Sequence, residues 1–85
     1  MSNVNVTLVG KQGCHLCDDA REVVDSVIAE FPPGSITLTE ESIDENKELF
    51  DAYWEQIPVV LINGKVHNYW RIDGERLRLK LKELQ

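Results

Sequence analysis

Lys11-Gln12-Gly13-Cys14-His15-Leu16-Cys17 holds both cysteines of an 85-residue chain, and an apolar run leads straight into it. That run, Val4-Asn5-Val6-Thr7-Leu8-Val9, alternates and then ends apolar on both sides. It reads as a strand with one well-buried face and partial cover on the other. Gly10 to Gly13 read as a turn. Beyond it, Cys17, Ala20, Val23, Val24, Val27, Ile28 and Phe31 recur at helical spacing, which predicts a helix from about Cys14 to Glu30. Asp18, Asp19, Glu22, Asp25 and Ser26 take its other face. A Cys-x-x-Cys between a strand and a helix puts its first sulfur at the helix N-terminus. Unpaired N–H groups and the macrodipole there favour thiolate over thiol. Cys17 falls one turn on, within the apolar stripe, and should be the more buried. The pair therefore reads as an exposed attacker, Cys14, and a shielded resolver, Cys17.

Further along, Phe31-Pro32-Pro33-Gly34 stops the helix, and Ile36-Thr37-Leu38-Thr39 is a short β-branched strand near a sheet edge. The helix between the two strands makes a βαβ unit, which favours parallel pairing. Asp44 is the expected N-cap of a second helix in which Leu49, Phe50, Tyr53 and Trp54 repeat at helical spacing; these aromatics, with Tyr69, are expected in the core. Pro58 excludes its continuation. Val59-Val60-Leu61-Ile62, Asn63-Gly64 and Lys65-Val66-His67-Asn68-Tyr69 form a hairpin, since Asn-Gly supplies the positive φ angles of a tight turn. Asp73 can cap a last helix carrying Leu77, Leu81 and Leu84 on one face, in preference to a strand through Leu77, Leu79 and Leu81. His67 is expected on the hairpin surface, and Trp70 is a groove contact if exposed.

Eighty-five residues suffice for one small core, so a second domain is not expected. Hydrophobic content of 42% with 28% charged residues describes an ordinary globular chain, and no stretch reaches membrane-spanning length. Met1-Ser2-Asn3-Val4-Asn5-Val6 lacks the pattern of a secretory leader, which points to the cytoplasm. In that reducing compartment two close cysteines are catalytic or metal-binding. The net charge is −6, with twelve acids against Arg21 and Lys47 between residues 18 and 55. Such an acidic chain, with no basic-aromatic groove, argues against a nucleic-acid partner.

The order strand, helix, strand, helix, hairpin, helix resembles the thioredoxin fold in its short, glutaredoxin-like form. Cys14-His15-Leu16-Cys17 at the first helix and Ile57-Pro58-Val59-Val60 opening the third strand carry the resemblance. It is most similar to the small bacterial glutaredoxin-like proteins, in which those two motifs occur together, and it covers nearly the whole chain. The resemblance implies one α/β domain over residues 1–85, with a mixed four-stranded sheet flanked by three helices, acting as a thiol-disulfide oxidoreductase. It further implies a cis peptide at Pro58, beside the sulfurs, with Ile57 offering its main chain to an extended substrate. Lys11 matches a lysine that attracts glutathione's carboxylate and favours thiolate. Two departures weigh against glutathione as substrate. Leu16 replaces an aromatic residue, and Arg71-Ile72 replaces a Gly-Gly pair ahead of Asp73, although Arg71 can still attract an anionic peptide.

His15, as an imidazolium, would stabilise the Cys14 thiolate, whereas Asp18 and Asp19 would oppose it. Zinc is the rival use of the cysteines, but four ligands would require a second subunit. The expected protein is instead a monomer that needs no metal, flavin or nucleotide and draws electrons from glutathione or a flavoprotein reductase. Its substrates would be disulfides of proteins or small molecules. A non-enzymatic adaptor or a redox sensor on the same fold is the alternative.

Overall fold

Alternation of apolar residues decides which way each strand faces. In the computed structural model, which describes residues 3–85, β1 spans Val4–Gly10. Val4, Val6 and Leu8 join the core on one side of it, and Val9 joins a second core on the other. β2 (Ile36–Ser42) pairs in parallel with β1, from Val4 opposite Ile36 to Gly10 opposite Ser42. β3 (Val59–Ile62) runs antiparallel on the other side of β1, with Val9 opposite Val59, and β4 (Lys65–Tyr69) closes the order β2-β1-β3-β4. β2 is three residues longer than its β-branched stretch, because β1 offers a hydrogen-bonding partner to Glu40, Glu41 and Ser42 as well.

The turn between β3 and β4 is made as expected, with φ of 51° at Asn63 and 84° at Gly64. Its position is fixed by β1: Asn63 Oδ1 accepts the Asn5 N–H at 3.0 Å and the Asn63 N–H donates to the Asn5 carbonyl at 2.8 Å.

The larger core lies under two helices. α1 (His15–Ile28) contributes Ala20, Val24 and Val27, and α3 (Gly74–Glu83) contributes Leu77 and Leu81, against Val4, Val6, Leu8, Val60 and Ile62. Each fully buried leucine contributes about 1.5–3 kcal/mol relative to an exposed one. Leu79 is exposed, as a helix requires and a strand does not, and Asp73 Oδ1 caps α3 by accepting the N–H groups of Glu75 and Arg76. Arg78 ties α3 back to the end of α1 through two 2.7 Å bonds to the Glu30 carboxylate, and this guanidinium holds the Glu30 carboxyl below its usual range. Arg78 also pairs with Glu75.

The opposite face of the sheet has thinner cover. α2 (Lys47–Tyr53) lays Leu49 and Tyr53 against Val9, Ile43, Val59 and Leu61, but buries none of its own residues completely. Two expectations are corrected here. The cap is Asn46, whose Oδ1 accepts the Leu49 N–H at 3.1 Å; Asp44 sits in the preceding turn, its own N–H bonded to Ser42 Oγ. Phe50, Trp54 and Tyr69 are exposed and do not belong to the core. On α2 two i, i+4 rows are apolar, and a seven-residue helix can turn only one of them to the sheet.

His67 departs as well. The β3–β4 register sets Val60 opposite Asn68 and Leu61 opposite Val66, which leaves His67 as the extra residue of a bulge. Its ring is half-buried in a hollow with Arg76, Leu79 and Lys80 of α3, and Nε2 has no hydrogen-bond partner among the described residues. Burial pushes its pKa down, and the charges of Arg76 and Lys80 push the same way. Met1 and Ser2, where the segment read for a leader begins, lie outside the described residues. Among the described residues no helix is long and apolar enough to cross a membrane.

Candidate functional site

Cys14 is the N-cap of α1, in extended backbone conformation at φ −100° and ψ 114°. An N-cap side chain can accept one of the unpaired N–H groups of the first turn, and here Cys14 Sγ accepts the Cys17 N–H at 3.2 Å. The Cys14 side chain is half-exposed. Cys17, carried one turn along α1 into its apolar stripe, is only 4% exposed. Both thiols are free. Burial pushes the Cys17 thiol up to about 11, helped by its hydrogen bond to Cys14 and by the charges of Cys14 and Asp18; the Lys11 backbone pulls it the other way.

Gly10 is part of this arrangement, although it reads as a mere turn residue in the sequence. It ends β1, and a Cβ added to it would stand 2.9 Å from Cys17 Sγ and 3.1 Å from Cys17 Cβ. The strand can pass so close to the buried sulfur only because this residue has no side chain. A glycine at the exact end of a strand, immediately before a cysteine motif, is the sequence signal for it.

The Ile57–Pro58 peptide is cis. Val59, the residue after Pro58, pairs with Val9, the residue before Gly10, and a side chain at Gly10 would meet Cys17. Pro58 is buried and its carbonyl accepts the Trp70 N–H at 2.9 Å. Ile57 is half-buried, and neither its N–H nor its carbonyl is bonded among the described residues.

The charged residues proposed around the motif separate into two hollows. Arg71 shares one, of about 360 Å³, with Leu16, Asp19, Trp70 and Ile72. Lys11 lies in another, of about 330 Å³, with Cys17, Asp18, Glu40, Glu41 and Glu45. Arg21 lines that second hollow too and pairs with Glu40 at 2.7 Å and Asp18 at 3.7 Å, so four carboxylates there face two cations. His15, the first residue of α1, is exposed to solvent.

Trp70 is the other feature absent from the sequence reading in this form. It adopts φ 66°, a left-handed backbone that costs a bulky residue about 1–2 kcal/mol. Two bonds hold it there: its N–H on the Pro58 carbonyl, and its indole Nε1 on the Glu55 carbonyl at 2.8 Å. Trp70 nevertheless stays 55% exposed. Among the described residues no three His, Cys, Asp or Glu side chains converge to hold a metal ion.

Residues 5–82 match the model of the family described as glutaredoxin-like domain (DUF836). The chain belongs to this family. A glutaredoxin-like protein of Dictyostelium discoideum, named as a YDR286C homolog, is 32% identical over 85 residues, covering 96% of this chain and 79% of its own. The X-ray structure of protein XcR50 from X. campestris superimposes with a TM-score of 0.72 at 29% identity, covering 92% of this chain and 96% of that one. A thioredoxin from Fasciola hepatica gives 0.71 at 18% identity, over 99% of this chain and 83% of its own, a likeness of fold alone. This glutaredoxin-like protein thus has the thioredoxin fold, and family and fold together support a redox-related function.

Proposed function

We propose that this glutaredoxin-like protein is a dithiol oxidoreductase that reduces disulfides through Cys14 and Cys17. The observation that carries the reading is the inequality of the two sulfurs. One caps a helix and reaches solvent; the other lies buried one turn below, with its thiol pushed up to about 11.

The chemistry follows from that inequality. Cys14 attacks as thiolate on one sulfur of a substrate disulfide, forming a mixed disulfide and expelling the other substrate sulfur as a thiolate, which takes a proton from water. The high pKa of Cys17 keeps it protonated until an acceptor is at hand. It then gives up its proton and attacks Cys14 Sγ, so that the second substrate sulfur leaves as a thiol. Two electrons have passed to the substrate, and the protein holds a Cys14–Cys17 disulfide. A thiol donor such as glutathione, or a flavoprotein reductase, returns the two electrons.

The remaining residues orient the substrate. Ile57, with both main-chain groups unbonded among the described residues, pairs with an extended stretch of substrate beside the cysteines, and Pro58 forms the floor below it. Arg71 sets the charge beside Leu16, Lys11 sets it on the opposite side of α1, and His15 stands exposed at the rim.

Cys14→Ser is expected to abolish reduction of a small disulfide such as 2-hydroxyethyl disulfide. Cys17→Ser should retain the first step and accumulate the mixed disulfide, seen as an added mass on the intact protein. Reduction at the wild-type rate by Cys14→Ser would overturn the proposal.

A further inference from the structure

Among the described residues, five of the seven large apolar side chains left exposed fall into groups that one hydrogen bond to the backbone and one hollow link. Phe50 stacks on Trp54, with ring centroids 6.1 Å apart and planes 11° apart. The next residue, Glu55, accepts the Trp70 indole N–H on its carbonyl, and Trp70 meets Tyr69 edge-on at 5.1 Å. Trp70 also shares its hollow with Leu16, which stands between the two cysteines. The result is a strip from α2, past Pro58, to Leu16 in the Cys-x-x-Cys. Its five members are each 41–55% exposed. Apolar side chains scattered singly need no explanation, but a row that ends at the residue between the two cysteines does.

Nothing about the core demands this row. Phe50 and Trp54 take the outer side of α2 while Leu49 and Tyr53 do the packing. Trp70 is held exposed in an unfavourable backbone conformation by two hydrogen bonds. Strain retained at a site of this kind marks a position fixed by something other than packing.

The charge beside the strip selects the occupant. Asp19 lies in the hollow at its Leu16 end and Glu55 follows Trp54, both exposed; Asp18 belongs to the other hollow and pairs with Arg21 at 3.7 Å, and Asp51, beside Phe50, is engaged by Lys47 at 3.2 Å. Arg71 is the one cation in the hollow itself. Carboxylates therefore outnumber cations along the strip, on a chain whose net charge is −6. A cationic partner is drawn to such a surface and an anionic one repelled.

We propose that the strip from Phe50 to Leu16 docks a polypeptide substrate whose cysteine is flanked by apolar residues and by Lys or Arg. This rests on the oxidoreductase reading above and names its substrate class: a basic protein disulfide, in place of a small anionic one. Aromatic anchors lying in a row are the usual centre of binding energy in a protein interface.

The test separates docking from chemistry by using a ligand without sulfur. The reduced wild-type protein, labelled with ¹⁵N, is titrated with a synthetic peptide of the form Lys-Leu-Ser-Phe-Lys, in which Ser replaces the cysteine, and with its Glu-for-Lys counterpart. Trp54 and Trp70 are the two tryptophans of the chain, so each gives its own indole N–H signal. Both signals are expected to shift and saturate with the basic peptide and to stay in place with the acidic one. Phe50→Ser and Leu16→Ser, at the two ends of the strip, should each weaken binding at least about fivefold. Indole signals that do not move, that move equally for both peptides, or that saturate unchanged in both variants would overturn the docking proposal. Loss of disulfide reduction with peptide binding intact would instead overturn the oxidoreductase reading alone.

Discussion

The two faces of the sheet are built to different standards. Under α1 and α3 the apolar residues are sealed: Val24, Leu77 and Leu81 have no exposed surface, and Arg78 closes the seam with Glu30. Under α2 a seven-residue helix covers four buried residues, and its second apolar row, Phe50 and Trp54, faces outward. The first face spends its apolar residues on stability, whereas the second keeps part of them for contact with something else. The two cysteines lie between the faces, for Cys14 caps the helix of the sealed face while Leu16, next to Cys17, joins the exposed strip.

That contrast makes graded predictions about stability. Leu77→Ala should cost the most, about 2–5 kcal/mol in denaturant unfolding, since a fully buried leucine leaves a cavity among well-packed neighbours. Gly10→Ala comes next, at about 1–3 kcal/mol, because its new Cβ must push Cys17 aside. The same variant should accumulate mixed disulfide during turnover, as the resolving sulfur is displaced. Phe50→Ser should change stability least, within about 0.5 kcal/mol, as expected for a side chain outside the core. A Phe50 loss as large as that of Leu77 would erase the distinction between the faces. A Gly10→Ala protein with unaltered stability and unaltered resolution would show that the strand does not press on Cys17.

Signals that act over a few residues were legible from the chain. The Cys-x-x-Cys between an alternating strand and an amphipathic helix, Asn63-Gly64 at the hairpin, and Asp73 ahead of α3 all act through neighbouring backbone groups, and the structure places them as expected. The cis peptide at Pro58 came from family resemblance, because proline permits either isomer and its surroundings decide between them. What escaped depended on distant partners. Helical spacing put Phe50 and Trp54 in one row but carried no information on which row of α2 meets the sheet. Asp44 and Asn46 are equally good caps, and the turn closed by Ser42 Oγ settles between them. His67 looked like a surface residue because a bulge is a property of two strands, and only the β3–β4 register reveals it. Gly10 reads as a turn residue until Cys17 is seen to lie against it. Lys11 and Arg71, joined by the resemblance as substrate contacts, stand in separate hollows on either side of α1, a consequence of where β2 and the β4–α3 connection end.

Everything functional above depends on the two sulfurs being unlike, and their alkylation tests this directly. A thiol at about 11 is ionised to roughly one part in ten thousand at pH 7, against about one in a hundred at the ordinary 9.0. In Cys14→Ser, where burial, the largest cause, still acts while the Cys14 hydrogen bond and charge are gone, iodoacetamide should label Cys17 markedly more slowly than in the urea-unfolded chain. The rate should rise about tenfold per pH unit through pH 10, since thiolate is the reacting form. In Cys17→Ser, Cys14 should be labelled far faster than that at pH 7. Equal labelling rates for the two folded variants, with the same dependence on pH, would contradict the assignment of one sulfur to attack and the other to resolve.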